Sequence, residues 1–147
     1  MVQTGLKRGT WKYTGLNSYN KGKFKQLQEM LKGKSDVFIV ALIDNQVVGM
    51  ASYHPDKGRT RHRVDCAWSV HPDFSGRGIA TKVVQAMCQH AKKSGFKRME
   101  AEVALQNIGS LKVAEKNGFC IEGTKKRALL LDSGRYADTH MLGKLLT

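Results

Sequence analysis

The sequence contains few cysteines and no long apolar run. Its three cysteines, Cys66, Cys88 and Cys120, lie far apart in the 147 residues, which favours neither a C-x-x-C metal site nor a disulfide framework. We expect buried free thiols, because an unoxidised cysteine behaves as a small apolar residue. No run of about eighteen apolar residues is present, and the first basic residues precede no apolar segment, so neither a membrane span nor a secretory signal is predicted. The sequence therefore predicts a soluble, cytoplasmic protein.

Acidic residues are also scarce. The 12 Asp and Glu residues face 25 Lys and Arg residues, which gives a formal net charge of +13. Such a surface attracts anions, but phosphorylated cofactors, acidic proteins and RNA all remain possible partners, and each basic cluster is as readily a solvated surface. Because aromatic and basic residues do not interleave as in RNA-recognition sheets, nucleic acid is possible but not favoured.

The spacing of apolar residues predicts one mixed α/β domain over residues 1–147. No internal repeat or low-complexity linker divides the chain. The predicted elements are a helix at 22–33, a hairpin of strands at 37–43 and 47–53, a strand at 63–70, a helix from Gly78 to Gly95, a strand at 97–105, a short helix ending at Asn117–Gly118, a strand beginning with FCIEG, and strands at 127–131 and 135–146 around the turn 132–134. The sheet is thus antiparallel at its start, with a βαβ crossover in its middle.

The helix that follows Gly78 is the clearest element. Its apolar residues recur on one face, and Gly95 closes the pattern as a C-terminal glycine. The residues of this face are Ile79, Val83, Val84, Met87, Cys88 and Ala91.

The stretch VHPDFSGRGIATKVV, residues 70–84, places Gly76 and Gly78 at the mouth of this helix. Free N–H groups and the positive end of the helix dipole meet there, so the glycines predict a cradle for an anion. Arg77 and Lys82 add positive charge. The P-loop pattern G-x-x-x-x-G-K-S/T is absent, and the dinucleotide pattern G-x-G-x-x-G lacks its third glycine. A plain structural turn would remain an alternative if the glycines stood alone.

Two linked motifs extend the pattern. Ser75–Ala80 resembles the acetyl-CoA signature Q/R-x-x-G-x-G/A of the GNAT N-acyltransferase superfamily, with Ser75 in place of Gln or Arg. Downstream, the stretch from Asn107 to Phe119 is similar to the second signature of that family, an Asn, a short helix and a closing Gly-Phe. The tail Gly134–Asp138 resembles the D-G-x-Y-x-D pattern of the ribosomal-protein and polyamine acetyltransferase branch. The resemblance covers residues 37–146, whereas the first 36 residues match poorly.

The resemblance implies a GNAT-like, mostly antiparallel sheet in which two parallel strands splay apart. It also implies that acetyl-CoA binds with its pyrophosphate on the amides of residues 76–80 and its pantetheine arm beside the strand 68–70. The amides of that strand would polarise the thioester carbonyl. The cofactor-binding residues predicted in this way are Trp68, Ser69, Val70, Ser75, Gly76, Arg77, Gly78, Ile79, Ala80, Thr81, Asn107 and Ser110.

Acyl transfer to an amine needs a base and an acid. Asp65 lies near the place where several family members carry a carboxylate base, although an ordinary exposed carboxylate is equally consistent, and His71 is an alternative. The family tyrosine that protonates the leaving thiolate is replaced by Ala114. Ser110 or a bound water is the remaining candidate for the acid.

The resulting hypothesis is an acetyl-CoA-dependent N-acetyltransferase. Its acceptor is a primary amine, either a protein N-terminus or lysine, or a small amine such as a polyamine. The strong positive charge disfavours a free polyamine unless the pocket is locally acidic. The alternative is a catalytically degenerate GNAT-fold protein that binds RNA or ribosomes, and a homodimer is a further possibility.

Overall fold

The structure is a computed structural model that describes residues 3–6, 37–44 and 46–147. Within these ranges, seven strands form one sheet and two α-helices pack on it. The strands are β1 (Gln3–Leu6), β2 (Val37–Ile43), β3 (Gln46–Pro55), β4 (Arg63–Val70), β5 (Arg98–Ala104), β6 (Cys120–Leu130) and β7 (Tyr136–Leu145), and the helices are α1 (Ile79–Lys93) and α2 (Ile108–Lys116). The helix predicted at residues 22–33 lies outside the described residues.

The strand order is β1-β2-β3-β4-β5-β7-β6. All neighbouring pairs are antiparallel except β4 and β5, which run parallel because α1 crosses over between them. This confirms the predicted mixed, mostly antiparallel sheet with its central βαβ crossover. The segments FCIEG and RALLL, which the sequence pattern leaves separate, belong to the single edge strand β6.

The parallel pair separates after three residues. Arg63–Asp65 of β4 pair with Arg98–Glu100 of β5, and no further residues of the two strands are partners. Beyond that point β4 stays with β3 as far as Val70, while β5 stays with β7 as far as Ala104. We call the space between residues 66–70 and 101–104 the strand gap. It confirms the predicted splayed pair.

Helix α1 covers one face of the sheet with the face that its periodicity predicts. All six predicted residues of that face are buried, and they share one core with residues of β2 to β5. The helix ends at Lys93, and Gly95 follows with a φ of +90°, a left-handed conformation that suits glycine at a helix end. We call the covered side of the sheet the α1 face.

The prediction that the cysteines are buried holds for two of the three. Cys66 and Cys88 are buried free thiols as predicted, whereas Cys120 is an exposed free thiol, so that prediction was wrong for one residue. Cys120 begins the edge strand β6, which lies exposed along most of its length. Among the described helices, none is long and apolar enough to cross a membrane.

Substitution of Met87 tests the core beneath α1. Met87 is fully buried, so Met87→Ala should lower the free energy of unfolding by about 2–5 kcal/mol, through lost apolar contact and the cavity left behind. Gln85→Ala, at an exposed position of the same helix, should change it by less than about 0.5 kcal/mol. Urea unfolding of both variants measures the difference, and equal losses would contradict this packing.

Candidate functional site

The loop between β4 and α1 contains the two glycines of the predicted cradle. After β4 the chain makes a short 3-10 helix, Pro72–Phe74, and then passes Gly76 and Gly78 with φ angles of +76° and +75°. Residues with a side chain rarely adopt these angles, so the loop favours glycine at both positions. We call residues 75–81 the glycine cradle.

The first turn of α1 is suited to an anion. Gly78 is its N-cap and has no side chain that could bond the free N–H groups, and no acidic residue lies in the first turn. The helix dipole adds positive charge at these amides. A Cβ at Gly76 or Gly78 would meet no atom of the described residues within 4 Å, so those residues leave the space beside the cradle open.

The other cradle residues divide between core and surface. Ile79 is buried in the core, while Ser75 and Arg77 are exposed and Ala80 and Thr81 are half-buried. The Arg77 guanidinium lies 5.1 Å from the centre of the Phe74 ring.

Two contacts that the sequence analysis missed fix the cradle in place. A Cβ at Gly49 would lie 2.7 Å from Cγ2 of Ile79, so glycine lets β3 approach the first residue of α1. The Nδ2 of buried Asn117 donates to the carbonyl of Thr81 at 3.3 Å, which ties the end of α2 to the start of α1. A glycine inside a strand is a signal of close approach, but it does not identify the approaching residue.

Trp68, Ser69 and Val70 border the strand gap on β4. Side chains alternate along a strand, so Trp68 lies on the α1 face, where its ring centre is 5.8 Å from that of Phe119, and Ser69 lies on the opposite face. The Nε1 of Trp68 is buried and has no acceptor among the described residues. A buried donor without a partner costs about 1–3 kcal/mol, and such a group often marks a ligand or ordered water.

Asn107 and Ser110 lie together at the start of α2. Asn107 is the N-cap, and its Oδ1 accepts from the Ser110 N–H at 3.2 Å. Ala114, at the position where the resemblance implies a tyrosine, is buried on the same helix. Alanine has no hydroxyl, whereas Ser110 carries one a turn earlier in that helix.

Asp65 lies at the last pair before the strand gap, with Glu100 of β5 as its register partner. Both side chains lie on the face opposite α1, and Glu102 follows two residues later on the same face. Desolvation raises the pKa of Asp65, and the negative charges of Asp56 and Glu100 raise it further. We call Asp65, Glu100 and Glu102 the acidic face.

The other two members of the acidic face have cationic partners. Glu100 accepts from Arg63 at 3.1 Å and from Arg98 at 2.8 Å. Glu102 accepts from Lys125 Nζ at 2.8 Å and from the Thr139 hydroxyl at 2.6 Å, and these bonds lower its pKa. The described ion pairs do not include Asp65, so it is the member of this face that is best suited to accept a proton.

His71, the alternative base, has a structural partner. Its Nδ1 accepts the main-chain N–H of Asp73 at 3.2 Å, and the main-chain N–H of His71 donates to the Val48 carbonyl at 2.7 Å. These bonds hold the turn that leads into the glycine cradle.

The described residues fit acetyl-CoA in three respects. Within the part of the chain that the structure describes, the glycine cradle offers free amides and open space for a pyrophosphate, the strand gap leaves one edge of β4 without a strand partner, and the Trp68 Nε1 lacks an acceptor. Asn107 and Ser110 begin α2 just after β5 ends. The individual binding and catalytic roles of these residues stay predictions.

The sequence matches the family described as "Acetyltransferase (GNAT) family" over residues 7–119. It is 30% identical over 109 residues to L-amino acid N-acetyltransferase AaaT of Escherichia coli, covering 73% of this chain and 67% of that protein. It is 23% identical over 116 residues to the ribosomal-protein-serine acetyltransferase of the same organism, covering 78% of this chain and 63% of that protein. The chain thus spans about two thirds of the length of each relative.

A solved structure shares the fold. The GNAT superfamily phosphinothricin acetyltransferase of Sinorhizobium meliloti, determined in complex with acetyl-CoA, superposes with a TM-score of 0.73 at 21% identity, covering 84% of this chain and 68% of that one. The family match confirms the predicted enzyme class, and the structural neighbour from Sinorhizobium meliloti was determined with the predicted cofactor, acetyl-CoA. Because the match covers more than half of the chain, the protein belongs to the GNAT acetyltransferase family.

Proposed function

We propose that this protein transfers the acetyl group of acetyl-CoA directly to a primary amine, either a protein N-terminus or lysine, or a small amine. The observation that carries the proposal is the strand gap beside the start of α1. There the start of α1, whose free amides suit an anion, lies next to an edge of β4 that no described strand pairs with. A long ligand with a phosphate at one end and an amide-bearing arm at the other satisfies both.

The chain's own residues would hold the cofactor at two places. Amides of the glycine cradle would bind the pyrophosphate, and the backbone of residues 68–70 would bind the arm as an added strand. Trp68 would donate its free Nε1–H to a carbonyl of the same arm. Bound acetyl-CoA supplies a thioester whose C–S bond breaks as the N–C bond to the amine forms, so that CoA leaves as the thiol.

Asp65 is the proposed general base. An amine that arrives charged must lose a proton before it attacks, and the raised pKa of Asp65 brings it closer to the pH at which a base works best. Glu102 stays ionised because its pKa is lowered, and its charge would attract the acceptor's ammonium group. Ser110 or a bound water would protonate the departing sulfur in the absence of the family tyrosine.

The relatives support an amine as the acceptor, without specifying which amine. One relative is described as acting on L-amino acids and the other on a ribosomal protein. The first acceptor is a small molecule and the second is a macromolecule, so the two names do not agree on the size of the acceptor. Both transfers require a deprotonated primary amine beside the thioester, which the position of Asp65 at the mouth of the strand gap would serve.

Gly78→Glu tests the cradle. The new carboxylate would stand at the N-terminus of α1, where it would repel the pyrophosphate, so isothermal titration should show that acetyl-CoA binding is abolished. Gly58→Glu is the matched control, because Gly58 also has a left-handed φ, of +63°, and a Cβ there would likewise meet no atom within 4 Å. This control should bind like the native protein. Undiminished binding by Gly78→Glu, or no binding by the native protein, would contradict the proposal.

Asp65→Asn tests the base. The variant should reduce kcat/KM at pH 7 by about a hundredfold to ten-thousandfold and remove the acidic limb of the pH profile. A carboxyl whose pKa is raised on folding contributes stability at low pH that is lost as the pH rises through that pKa. The free energy of unfolding at pH 7 should therefore not decrease. Asp44→Asn, in an exposed turn, is the control, and a loss of stability that explains the loss of activity would count against Asp65 as the base.

An isosteric replacement tests the Trp68 donor. Benzothienylalanine at position 68, introduced by codon suppression, keeps the bicyclic shape and lacks the N–H. The melting temperature of the free protein should not fall, because the removed donor has no partner among the described residues, while the affinity for acetyl-CoA should fall about tenfold. A lower melting temperature with unchanged affinity would show that the donor has an acceptor within the protein.

A further inference from the structure

A row of ion pairs crosses the sheet on the face opposite α1. Arg63 of β4 donates through Nε to Asp56 at 2.5 Å and through Nη1 to Glu100 at 3.1 Å. Glu100 also accepts from Arg98 Nε at 2.8 Å, and Arg98 Nη1 donates to Glu122 of β6 at 3.0 Å. Opposite charges thus alternate from the end of β3 to β6. We call these five residues the ion-pair row.

Gly143 of β7 lets this row reach the edge strand. It is the register partner of Glu100 on one side and of Cys120 on the other. A Cβ at Gly143 would collide with the carboxylate of Glu122, so glycine leaves the space that Glu122 needs to reach Arg98. The row therefore depends on the packing of the sheet as well as on charge.

Asp65 lies beside the ion-pair row without belonging to it. Its side chain follows that of Arg63 by two residues on the same face of β4, and its register partners are Glu100 on β5 and His54 on β3. Desolvation raises the pKa of Asp65, and the charges of Asp56 and Glu100 raise it further. These two carboxylates are the ones that Arg63 binds.

Arg63 is the cation that the two carboxylates share. In the part of the chain that the structure describes, Asp56 forms its ion pair with Arg63 alone, whereas Glu100 also pairs with Arg98. The bond to Arg63 lowers the pKa of Asp56, so this carboxylate is ionised at neutral pH. Without Arg63 its charge would act on Asp65 without compensation, and a like charge nearby disfavours ionisation.

Three further titratable groups among the described residues act on Asp65. The charge of His54 lowers the pKa of Asp65, and the charge of Glu102 raises it. The Lys125 ammonium pairs with Glu102 at 2.8 Å and interacts with Asp65 as well. These groups stay unchanged in the variants below, so the effect of Arg63 can be measured alone.

We propose that Arg63 is a positioning residue for the general base: by holding Asp56 and Glu100 it offsets two negative charges beside Asp65, which keeps Asp65 ionised at the mouth of the strand gap. An ionised carboxylate there can accept a proton from the ammonium group of the acceptor, whereas a protonated one cannot. The inference rests on the proposed acetyl transfer, in which Asp65 is the base, and adds a residue on which that role depends. Arg63 acts through Asp65 and transfers no proton itself.

Two variants that break the same ion pair test this role. Arg63→Gln removes the cation, and Asp56→Asn removes one of the carboxylates. A merely structural role predicts similar effects of both, because each loses the 2.5 Å contact. The proposed role predicts opposite effects on Asp65. Arg63→Lys keeps the charge, and Arg61→Gln, at an exposed arginine two residues earlier, is the control.

Carbon-13 NMR of the aspartate carboxyl groups measures the titration of Asp65 directly, and Asp65→Asn identifies its signal. The midpoint should rise by about one pH unit in Arg63→Gln. It should fall in Asp56→Asn and stay near the native value in Arg63→Lys and Arg61→Gln. A midpoint that is unchanged or lower in Arg63→Gln, or a rise in both Arg63→Gln and Asp56→Asn, overturns the proposal.

The pH profile of kcat/KM links this titration to the reaction. It is measured with acetyl-CoA and the fastest acceptor from a panel of free L-amino acids, short peptides and polyamines. The acidic limb should move with the NMR midpoint, so that Arg63→Gln loses about tenfold in kcat/KM on that limb and stays near the native value on the plateau. A raised NMR midpoint with an unmoved limb contradicts Asp65 as the base and overturns the role of Arg63 with it.

Calorimetry with acetyl-CoA separates this inference from the proposed function. No binding by the native protein contradicts the proposed acetyl transfer itself. Normal binding together with an unchanged NMR midpoint in Arg63→Gln leaves the transfer intact and overturns only the role of Arg63.

Discussion

The separation of β4 from β5 is the feature on which the proposed site depends. Up to Asp65 and Glu100 the two strands are partners, and beyond that pair each follows a different neighbour. Main-chain groups that leave a sheet need other partners, because an unpaired N–H or C=O away from water is costly. The edge of β4 from residue 66 to residue 70 is thus available to an extended ligand. The same divergence lets the ring of Trp68 pack against Phe119, with its Nε1 buried and without an acceptor in the described parts of the chain.

The position of α1 follows from the parallel arrangement of that pair. Parallel strands require a crossover, and a helix that begins where β4 ends directs its free N–H groups toward the gap. Gly49 completes the arrangement, because a side chain there would press against Ile79 and move the helix away from β3. A single connection therefore positions both the helix end proposed to bind the pyrophosphate and the edge of β4 that no described strand pairs with.

The site carries a cluster of acidic side chains, whereas the whole protein has a positive net charge. The chain carries a net charge of +13, yet three carboxylates lie along one face beside the gap. Arginines and Lys125 pair with two of them, Glu100 and Glu102, and leave Asp65 outside the described ion pairs. Burial and its acidic neighbours raise the pKa of Asp65. A charge held at a cost to stability is typical of functional groups.

The sequence alone determined the local elements and the cradle. Some structures depend only on interactions between residues that are close in sequence, so they were predictable. They are the apolar face of α1, the glycines at the two ends of that helix and the turn 132–134. Tertiary structure decided what depends on pairing between distant segments. Register with β5 places Asp65 beside Glu100, the edge position of β6 exposes Cys120, and a shift in the pairing of β6 with β7 brings the N–H of Arg127 to the Asp138 carboxylate. Strand register is set by packing across the whole sheet, and no local pattern reports it.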